Sequence, residues 1–360
     1  MSGKGGLPRR DVIAPLRFNR DLPGTRLLFA PGAVLELRSQ LDSLGLHRAF
    51  VVSTGGRAAA LAPPQELLGD SLIEVYSAAR EHVPVAVVAK ALARFRAVGA
   101  DVCVAVGGGS AIGLGKAIVK ESGTPLVAVP TTYSGSEMTS IWGQTDGNGK
   151  QTGRDRMVKP RLVIYDAALT FGLPADISAA SGMNAMAHAV ESMYAANATR
   201  ETLEIAEEAV RLLAHSLPSV VARGTDLEAR STVFAGAHLA GRALDEAAMG
   251  LHHRICHVLG GTFALSHALT HAVVLPHVVA FNSSSAPQAM TRLARALGSD
   301  DVAAGLVALN RSIGVTATLS ALGLRERDLD RAADEVTVTP YPNPRPASRD
   351  DVRAILLAAL

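Results

Sequence analysis

The chain has 360 residues, of which 48% are hydrophobic and 19% are charged, and its formal net charge is +2. This composition indicates a globular protein and excludes a largely disordered chain. The small net charge and the lack of a lysine-rich block indicate that neither nucleic acid nor a membrane surface is a partner. Two cysteines do not make a disulfide framework, and the N-terminus has no signal-peptide pattern. We therefore expect a cytoplasmic protein.

Short apolar runs alternate with helix-like segments in the first half of the chain. This alternation predicts a parallel sheet with helices on its faces. Pro84 suits the first turn of one helix, and Gly99 suits the end of the same helix. The predicted strands cover residues 48–53, 72–76, 102–106, 126–129 and 162–165.

The composition of the sequence changes after Pro174. Ala- and Leu-rich stretches, such as 177–196 and 202–222, predict long helices there. Near the end, Ser348 and Asp351 predict a capping box before a last helix. The predicted domains are an α/β domain with a parallel, Rossmann-like sheet over residues 1–166 and an all-α domain over residues 167–360.

Residues 101–120 read DVCVAVGGGSAIGLGKAIVK, an apolar strand followed by three glycines, a serine and a helix. Backbone amides in such a bend can approach a pyrophosphate, and the helix dipole favours its negative charge. The segment is not a P-loop, because Ala117 follows Lys116, and it lacks the third glycine of the dinucleotide fingerprint, because Ile112 stands there. The alternative interpretation is a tight turn between a strand and a closely packed helix.

A second polar segment, PTTYSGSEMT over Pro130 to Thr139, follows the next predicted strand. In an open α/β sheet, ligands bind outside the carboxyl ends of the strands, where both segments would lie. Two neighbouring strand ends that carry glycines and hydroxyls predict a site for a phosphorylated cofactor.

Histidines are concentrated in one stretch, because six of the eleven fall between Gly250 and His277. Residues four apart share one face of a helix. Imidazole supplies metal ligation, proton transfer or hydrogen bonding to an anion, and the spacing alone leaves all three open. The pairs with this spacing are Asn184 with His188, His253 with His257, and His267 with His271.

These segments together resemble the iron-containing alcohol dehydrogenase family over nearly the whole chain, and within it the maleylacetate reductases. The resemblance rests on GGGSAIGLGK, PTTYSGSEMT, SGMNAMAHAVES, GLHHRICHVLGG, SHALTHAVVLPHVVAFN and the terminal NPRP. It implies a nucleotide-binding N-terminal α/β domain, a helical C-terminal domain, an active site in the cleft between them, and a homodimer.

The resemblance also implies which residues bind the cofactor. Thr54 stands where the family has a ribose-binding aspartate, which leaves room for a 2′-phosphate, so NAD(H) is favoured and NADP(H) stays open. The implied cofactor-binding residues are Thr54, Gly107, Gly108, Gly109, Ser110, Thr131, Thr132 and Ser136.

The family's metal-ligand positions are occupied here by His188, His253 and His267, and an iron or zinc ion would bind there. The fourth position, an aspartate in metal-dependent members, is Asn184. A neutral amide oxygen is a poorer ligand for a divalent cation than a carboxylate. Asparagine at this position is similar to the maleylacetate reductases and argues against metal dependence.

The activity implied by the resemblance is reduction of the carbon–carbon double bond of maleylacetate, or of a related unsaturated keto acid, to 3-oxoadipate in the degradation of aromatic compounds. Hydride addition generates an enolate, which imidazoles can stabilise without a metal. The substrate would be a small dicarboxylate. The implied catalytic residues are His188, His253, His257 and His267, and the candidates for substrate binding are Tyr133, Lys150, Arg154 and Arg254.

Two other activities fit parts of the sequence. One is a metal-dependent dehydrogenase for alcohols or aldehydes, and the other is a lyase or cyclase similar to dehydroquinate synthase. Both use a full set of metal ligands, so Asn184 argues against both. A binding module without activity would not explain a cofactor loop and a histidine cluster together.

Overall fold

The computed structural model describes residues 16–55, 63–147 and 149–360, and a seven-stranded sheet forms the centre of the N-terminal half. The strands lie in the order β1-β2-β9-β6-β5-β3-β4, with β1 antiparallel to β2 and all other pairs parallel. A separate antiparallel hairpin pairs β7 with β8. The strands are β1 Phe18–Leu22, β2 Thr25–Phe29, β3 Ala49–Val52, β4 Leu72–Tyr76, β5 Val102–Gly107, β6 Leu126–Pro130, β7 Ile141–Asp146, β8 Gly149–Arg154 and β9 Leu162–Tyr165.

The five predicted parallel strands are confirmed as β3, β4, β5, β6 and β9. Sequence reasoning missed the hairpin of β1 and β2, where Leu22 pairs with Thr25 across Pro23 and Gly24. Gly24 has a φ of 78°, and proline followed by glycine with positive φ is a turn signature that would have revealed this hairpin.

Helices cover both faces of the sheet and then form the whole C-terminal half. The helix predicted at Pro84 is confirmed, with Pro84 as its N-cap, and the capping box of Ser348 and Asp351 is confirmed as well. The helices are α1 Leu37–Ser43, α2 Pro64–Leu68, α3 Val85–Ala97, α4 Gly109–Ser122, α5 Ala175–Ser192, α6 Arg200–Ala222, α7 Leu227–Glu246, α8 Leu251–Thr262, α9 His267–Asn282, α10 Pro287–Leu297, α11 Val302–Ser312, α12 Leu329–Thr337 and α13 Arg349–Ala358.

Helix α5 is the central element of the helical half, because it is buried around nearly its whole circumference. It packs against α6, α7 and α9, and a helix enclosed in this way needs small residues where its neighbours approach. At Gly182, an added Cβ would lie 2.2 Å from Leu217 Cδ2 of α6. This packing holds the polar residues of α5, Asn184 and His188, at fixed positions.

The loop after β6 contacts the helical half through α7. Gly135 in this loop has a φ of 72°, and a Cβ on Gly241 of α7 would lie 2.3 Å from the Gly135 carbonyl oxygen. Two glycines therefore allow the backbone of the loop to lie directly on the helix. Among the described helices, none is both long enough and apolar enough to cross a membrane.

Candidate functional site

The glycine bend, Gly107 to Ser110, joins β5 to α4. Gly107 has a φ of 149°, and Gly108 is the N-cap of the 14-residue helix. A Cβ on Gly108 would lie 2.7 Å from Thr132 Oγ1, so only glycine fits there without displacing Thr132. Gly109 is exposed, and its neighbours Gly108 and Ser110 are half-buried. The N-terminus of α4 thus presents backbone amides to a ligand at the surface of the bend.

The loop after β6 lies beside the bend, because β5 and β6 are parallel neighbours. The Thr131 amide donates to the Gly107 carbonyl at 3.1 Å. Thr131, Thr132 and Ser136 are half-buried, and Thr54 is exposed after β3, the other neighbour of β5. The implied cofactor-binding residues therefore lie at the same edge of the sheet.

Lys116, on α4, holds the loop after β6 in place. Its ammonium group donates to the carbonyl oxygens of Ser136 at 2.7 Å, Thr139 at 2.8 Å and Ile141 at 2.8 Å. Burial lowers the pKa of Lys116 to about 7, since removing an ammonium from water disfavours its charged form. This lysine therefore has a structural role beneath the bend and does not reach a phosphate above it.

Ser134 connects the bend to the helical half. A Cβ on Gly109 would lie 3.8 Å from the Ser134 side chain, and the Asn184 side-chain amide donates to the Ser134 carbonyl at 3.3 Å. A second connection follows β4, where Glu81 accepts a hydrogen bond from the His267 backbone amide at 3.2 Å. The predicted nucleotide end and the predicted histidine end of the site are thus neighbours.

The four predicted catalytic histidines form one row. His188 Nδ1 and His253 Nε2 are 2.9 Å apart, and the two rings stack with centroids separated by 5.0 Å. The His257 ring lies 6.1 Å from the His253 ring, and the His267 ring lies 6.5 Å from the His257 ring. His188 and His253 are buried, whereas His257 and His267 are half-buried. The row therefore extends from the core toward the surface.

His271 and His252 lie behind this row and are completely buried. His252 Nε2 and His271 Nδ1 are 2.8 Å apart, and the His271 ring lies 4.5 Å from the His267 ring. The four-residue spacing from His267 was the sequence signal for His271. Six imidazoles, counting the row and these two, thus form one continuous cluster.

Sequence reasoning missed Glu191, the residue that fixes the orientation of His253. This carboxylate is 1% exposed, and it accepts hydrogen bonds from His253 Nδ1 and from the backbone amides of His252 at 2.9 Å and His253 at 3.3 Å. It therefore caps the N-terminus of α8 from a different helix. Glu191 lies three residues after His188 on the same face of α5, and this spacing could have predicted it from the sequence.

The electrostatics of the cluster follow from burial and from Glu191. Burial and the neighbouring charge of His253 lower the pKa of His188 well below its usual value, and burial lowers the pKa of His252 to about 3. Burial alone would raise the pKa of Glu191, but His253 and the amide donors outweigh it, so this pKa is lowered. The buried site thus holds the Glu191 carboxylate near His188 and His252, two imidazoles that are neutral at neutral pH.

Because hydrogen positions follow from the hydrogen-bond network, the carboxylate assigns a proton to His253 Nδ1. A neutral His253 then has its lone pair on Nε2, where it accepts the hydrogen of His188 Nδ1 at 2.9 Å. A second proton on His253 would occupy Nε2, the nitrogen opposite the one that Glu191 binds.

The residues at the family's metal-ligand positions form a neutral donor set. Asn184 Oδ1 is buried and has no hydrogen-bond partner among the described residues, so it is available to a ligand. His188, His253 and His267 are not among the described groups whose ligand atoms lie within 4.8 Å of one another, so an ion bound by Asn184 and these imidazoles would require His267 to move closer. No carboxylate would bind that ion directly. Glu191 would not contact the ion but would accept a hydrogen bond from His253, one of its ligands.

Three of the predicted substrate-binding side chains, those of Tyr133, Arg154 and Arg254, bind other parts of the protein. Tyr133 is fully buried, with its hydroxyl accepting from Arg230 at 2.9 Å. Arg154 donates to backbone carbonyls of α7 and of the residue after it, including the Asp245 oxygen at 2.5 Å. Arg254 donates to the Val336 carbonyl at 3.1 Å. The two arginines thus satisfy backbone carbonyls and Tyr133 pairs with Arg230, which spacing could not reveal. Lys150 lies in β8.

The comparison with known proteins begins with two family profiles. The profile described as "Iron-containing alcohol dehydrogenase" matches residues 24–167, and "Fe-containing alcohol dehydrogenase family, C-terminal" matches residues 178–360. The chain belongs to the iron-containing alcohol dehydrogenase family. The predicted fold, an α/β N-terminal part with a parallel sheet and a helical C-terminal part, is confirmed by this match and by the strand order. The chain is accordingly an oxidoreductase.

Within the family, the chain is similar to named maleylacetate reductases. It is 46% identical to the maleylacetate reductase of Burkholderia cepacia, over 92% of this chain and 94% of the relative. It is 44% identical to the enzyme of Sphingobium indicum, over 96% of this chain and 98% of the relative. The crystal structure of maleylacetate reductase from Agrobacterium tumefaciens is 40% identical, with a TM-score of 0.88 and coverage of 98% of each chain. The predicted resemblance is thus confirmed.

A more distant member of the iron-containing alcohol dehydrogenase family shares the same fold. The crystal structure titled 1,3-propanediol oxidoreductase is 28% identical, with a TM-score of 0.88 and coverage of 93% of this chain and 97% of the other. The fold therefore extends across members named for different substrates, and the chemistry of the site has to distinguish them.

Proposed function

We propose that this enzyme uses NADH or NADPH to reduce the carbon–carbon double bond of maleylacetate or a closely related unsaturated keto acid, in the degradation of aromatic compounds. The observation that carries the proposal is the row of imidazoles beside Asn184, whose side chain donates to the loop that borders the glycine bend. The relatives named maleylacetate reductase, at 46% and 44% identity, support the choice of substrate.

The amides of the glycine bend, Gly107 to Ser110, would hold the pyrophosphate of the cofactor at the N-terminus of α4. The residues that would hold the rest of the nucleotide line the same edge of the sheet: Thr131, Thr132, Ser136 and Thr54. The cofactor would supply its hydride near the histidine row, since Ser134 lies beside Gly109 and its carbonyl accepts from Asn184. Because Thr54 carries no charge, it does not repel a 2′-phosphate, and NADH and NADPH both fit this proposal.

The cofactor would supply a hydride for the alkene carbon β to the ketone, and the π electrons of the substrate would shift onto the ketone oxygen. The resulting enolate accepts hydrogen bonds from His257 and from His253 Nε2, which carries a second proton during the reaction and turns from His188 to the substrate. These donors stabilise charge that is absent in the ground state. The carbon α to the ketone then takes a proton, and the ketone is restored. The Nε2 proton of His253 is the source we assign to that proton, and solvent replaces it after each turnover.

A divalent metal held by His188, His253, His267 and Asn184 would supply a Lewis acid for the oxygen. An enolate is less basic than the alkoxide that alcohol dehydrogenases produce. Hydrogen bonds alone can therefore stabilise an enolate better than they can stabilise an alkoxide. Loss of the aspartate at the Asn184 position is consistent with this lower requirement. We therefore propose that imidazole donors are sufficient for turnover.

The other elements of the proposal concern assembly and location. Residues 1–166 and 167–360 act as two domains with the site between them, two copies of the chain form a dimer, and the enzyme works in the cytoplasm. Lys150 is the remaining candidate among the predicted cations for a substrate carboxylate.

Turnover of NADH with maleylacetate by the purified enzyme, before and after treatment with a chelator, tests the proposal. We expect oxidation of NADH at the same rate in both samples and formation of 3-oxoadipate. A rate that disappears with the chelator and returns with iron or zinc would contradict the metal-independent mechanism. Turnover of simple aldehydes, with none of maleylacetate, would contradict the proposed substrate.

A further inference from the structure

Behind the histidine row, three side chains that the proposed reaction does not use form a compact group, which we name the inner triad. His252 and Cys256 lie four residues apart on α8, His271 lies on α9, and all three are 0% exposed. One potential ligand atom from each residue lies within 4.8 Å of the other two. We propose that the inner triad is a binding site for a soft or borderline transition-metal ion, of which Zn²⁺ is the representative.

Two distances within the triad can be compared with those around a coordinated ion. With zinc bonds of about 2.0 Å to nitrogen and 2.3 Å to sulfur, tetrahedral ligands stand about 3.3 Å apart for two nitrogens and about 3.6 Å apart for nitrogen and sulfur. Cys256 Sγ and His252 Nε2 are 3.7 Å apart, and His252 Nε2 and His271 Nδ1 are 2.8 Å apart. A small separation of the two rings would therefore admit the ion in place of one hydrogen bond.

The charge around the triad favours a cation. Zinc binding releases the thiol proton of Cys256 and leaves a thiolate ligand. Glu191 is a buried carboxylate that accepts a hydrogen bond from the His252 amide at 2.9 Å. The Cys256 thiolate and the Glu191 carboxylate together would offset the charge of a divalent ion. Their attraction would compensate the free-energy cost of removing that ion from water. The two imidazoles bring no competing charge, because both are neutral when buried.

This site differs from the family's metal position in its ligand chemistry. The inner triad shares none of His188, His253 or His267, and it alone contains sulfur. The other cysteine, Cys103, is buried in β5 and belongs to the sheet. A sulfur–metal signal from this protein therefore reports on Cys256, and Cys103 provides a matched control.

The test uses the full-length enzyme produced in medium supplemented with Co²⁺, because a completely buried site loads most readily during folding. Near-ultraviolet absorption from thiolate-to-cobalt charge transfer is measured together with bound metal per chain. We expect this absorption in the wild type and in C103S, and its loss in C256S with a decrease of about one bound metal ion per chain.

X-ray absorption at the zinc edge of the wild type keeps the test independent of how the variants fold. One sulfur at about 2.3 Å from zinc is the expected result. Zinc bound only to nitrogen and oxygen, metal content that C256S leaves unchanged, or no bound metal at all would overturn the proposal and leave a hydrogen-bonded triad. None of these readouts depends on turnover, so they do not decide the proposed reductase activity.

Discussion

Backbone groups form the glycine bend, whereas side chains from three helices form the histidine row. The bend has its shape because Gly107 and Gly108 lack a Cβ, and Lys116 fixes the loop beside it. The row depends on a chain of side-chain contacts that begins at Glu191 and passes through His253 to His188. Substitutions in the bend should therefore affect cofactor affinity, and substitutions in the row should affect the rate of the chemical step.

The largest effect is expected for H253Q, which keeps a hydrogen-bonding side chain but removes the imidazole between Glu191 and His188. We expect kcat for maleylacetate to fall by about 10² to 10⁴-fold, the usual contribution of a positioned acid or base, while NADH binding changes little. Steady-state kinetics and NADH fluorescence titration measure the two quantities. H215Q, at an exposed position on α6, is the matched control, and equal rates for both variants would remove His253 from the mechanism.

The next effect tests whether the row depends on its orienting carboxylate. E191Q removes the charge that holds the proton on His253 Nδ1, and outer groups of this kind contribute about 10 to 100-fold to activity. We expect kcat to fall by that factor, with KM for maleylacetate nearly unchanged and a shifted pH profile. A merely structural role would lower stability and leave the pH profile of the remaining activity as it was. E204Q, at an exposed carboxylate on α6, serves as the control.

A substitution in the glycine bend is expected to weaken cofactor binding and to leave kcat nearly unchanged. In G108A the new Cβ would approach Thr132 Oγ1 to 2.7 Å, so either the bend or Thr132 must move. We expect the Kd for NADH to rise by about tenfold, which corresponds to about 1.4 kcal/mol, with kcat at saturating NADH within about twofold of the wild type. G172A is the control, because an added Cβ there meets no atom within 4 Å. A fall in kcat without weaker binding would contradict the assignment of the bend to the cofactor.

The effect that is smallest at neutral pH concerns stability in acid. The folded protein holds the pKa of His252 at about 3, below the ordinary value of 6.5, because the ring is buried. Between these values the unfolded chain binds a proton that the folded chain does not, so the free energy of unfolding decreases as the pH falls from about 6.5 to 3. H252Q should make this dependence shallower by about 1.4 kcal/mol per pH unit. Urea unfolding at several pH values measures the slope, and an unchanged slope would contradict the neutral ring.

Much of the fold was predictable, because its signals are local. Apolar runs gave the parallel strands, and the capping box of Ser348 and Asp351 gave the last helix. The glycine bend was equally local, since a strand, glycines and a helix follow one another. The hairpin of β1 and β2 was missed although its turn, Pro23 and Gly24, carries a recognisable signature.

The histidine row was predictable from spacing and from the family positions, but the contacts that organise it were not. Glu191 acts across two helices that meet only in the folded chain, and its role depends on the backbone amides of α8. Arg154 and Arg254 carry charges suited to a dicarboxylate, yet each binds backbone carbonyls more than eighty positions along the chain. Charge alone does not distinguish a substrate ligand from a group that satisfies a helix end.

The most direct test of the central claim is a crystal structure of the enzyme with NADH bound. We predict that the pyrophosphate oxygens accept hydrogen bonds from amides between Gly107 and Ser110, and that the nicotinamide faces His253 and His257. A pyrophosphate bound elsewhere, or a nicotinamide separated from these imidazoles by other residues, would contradict the account.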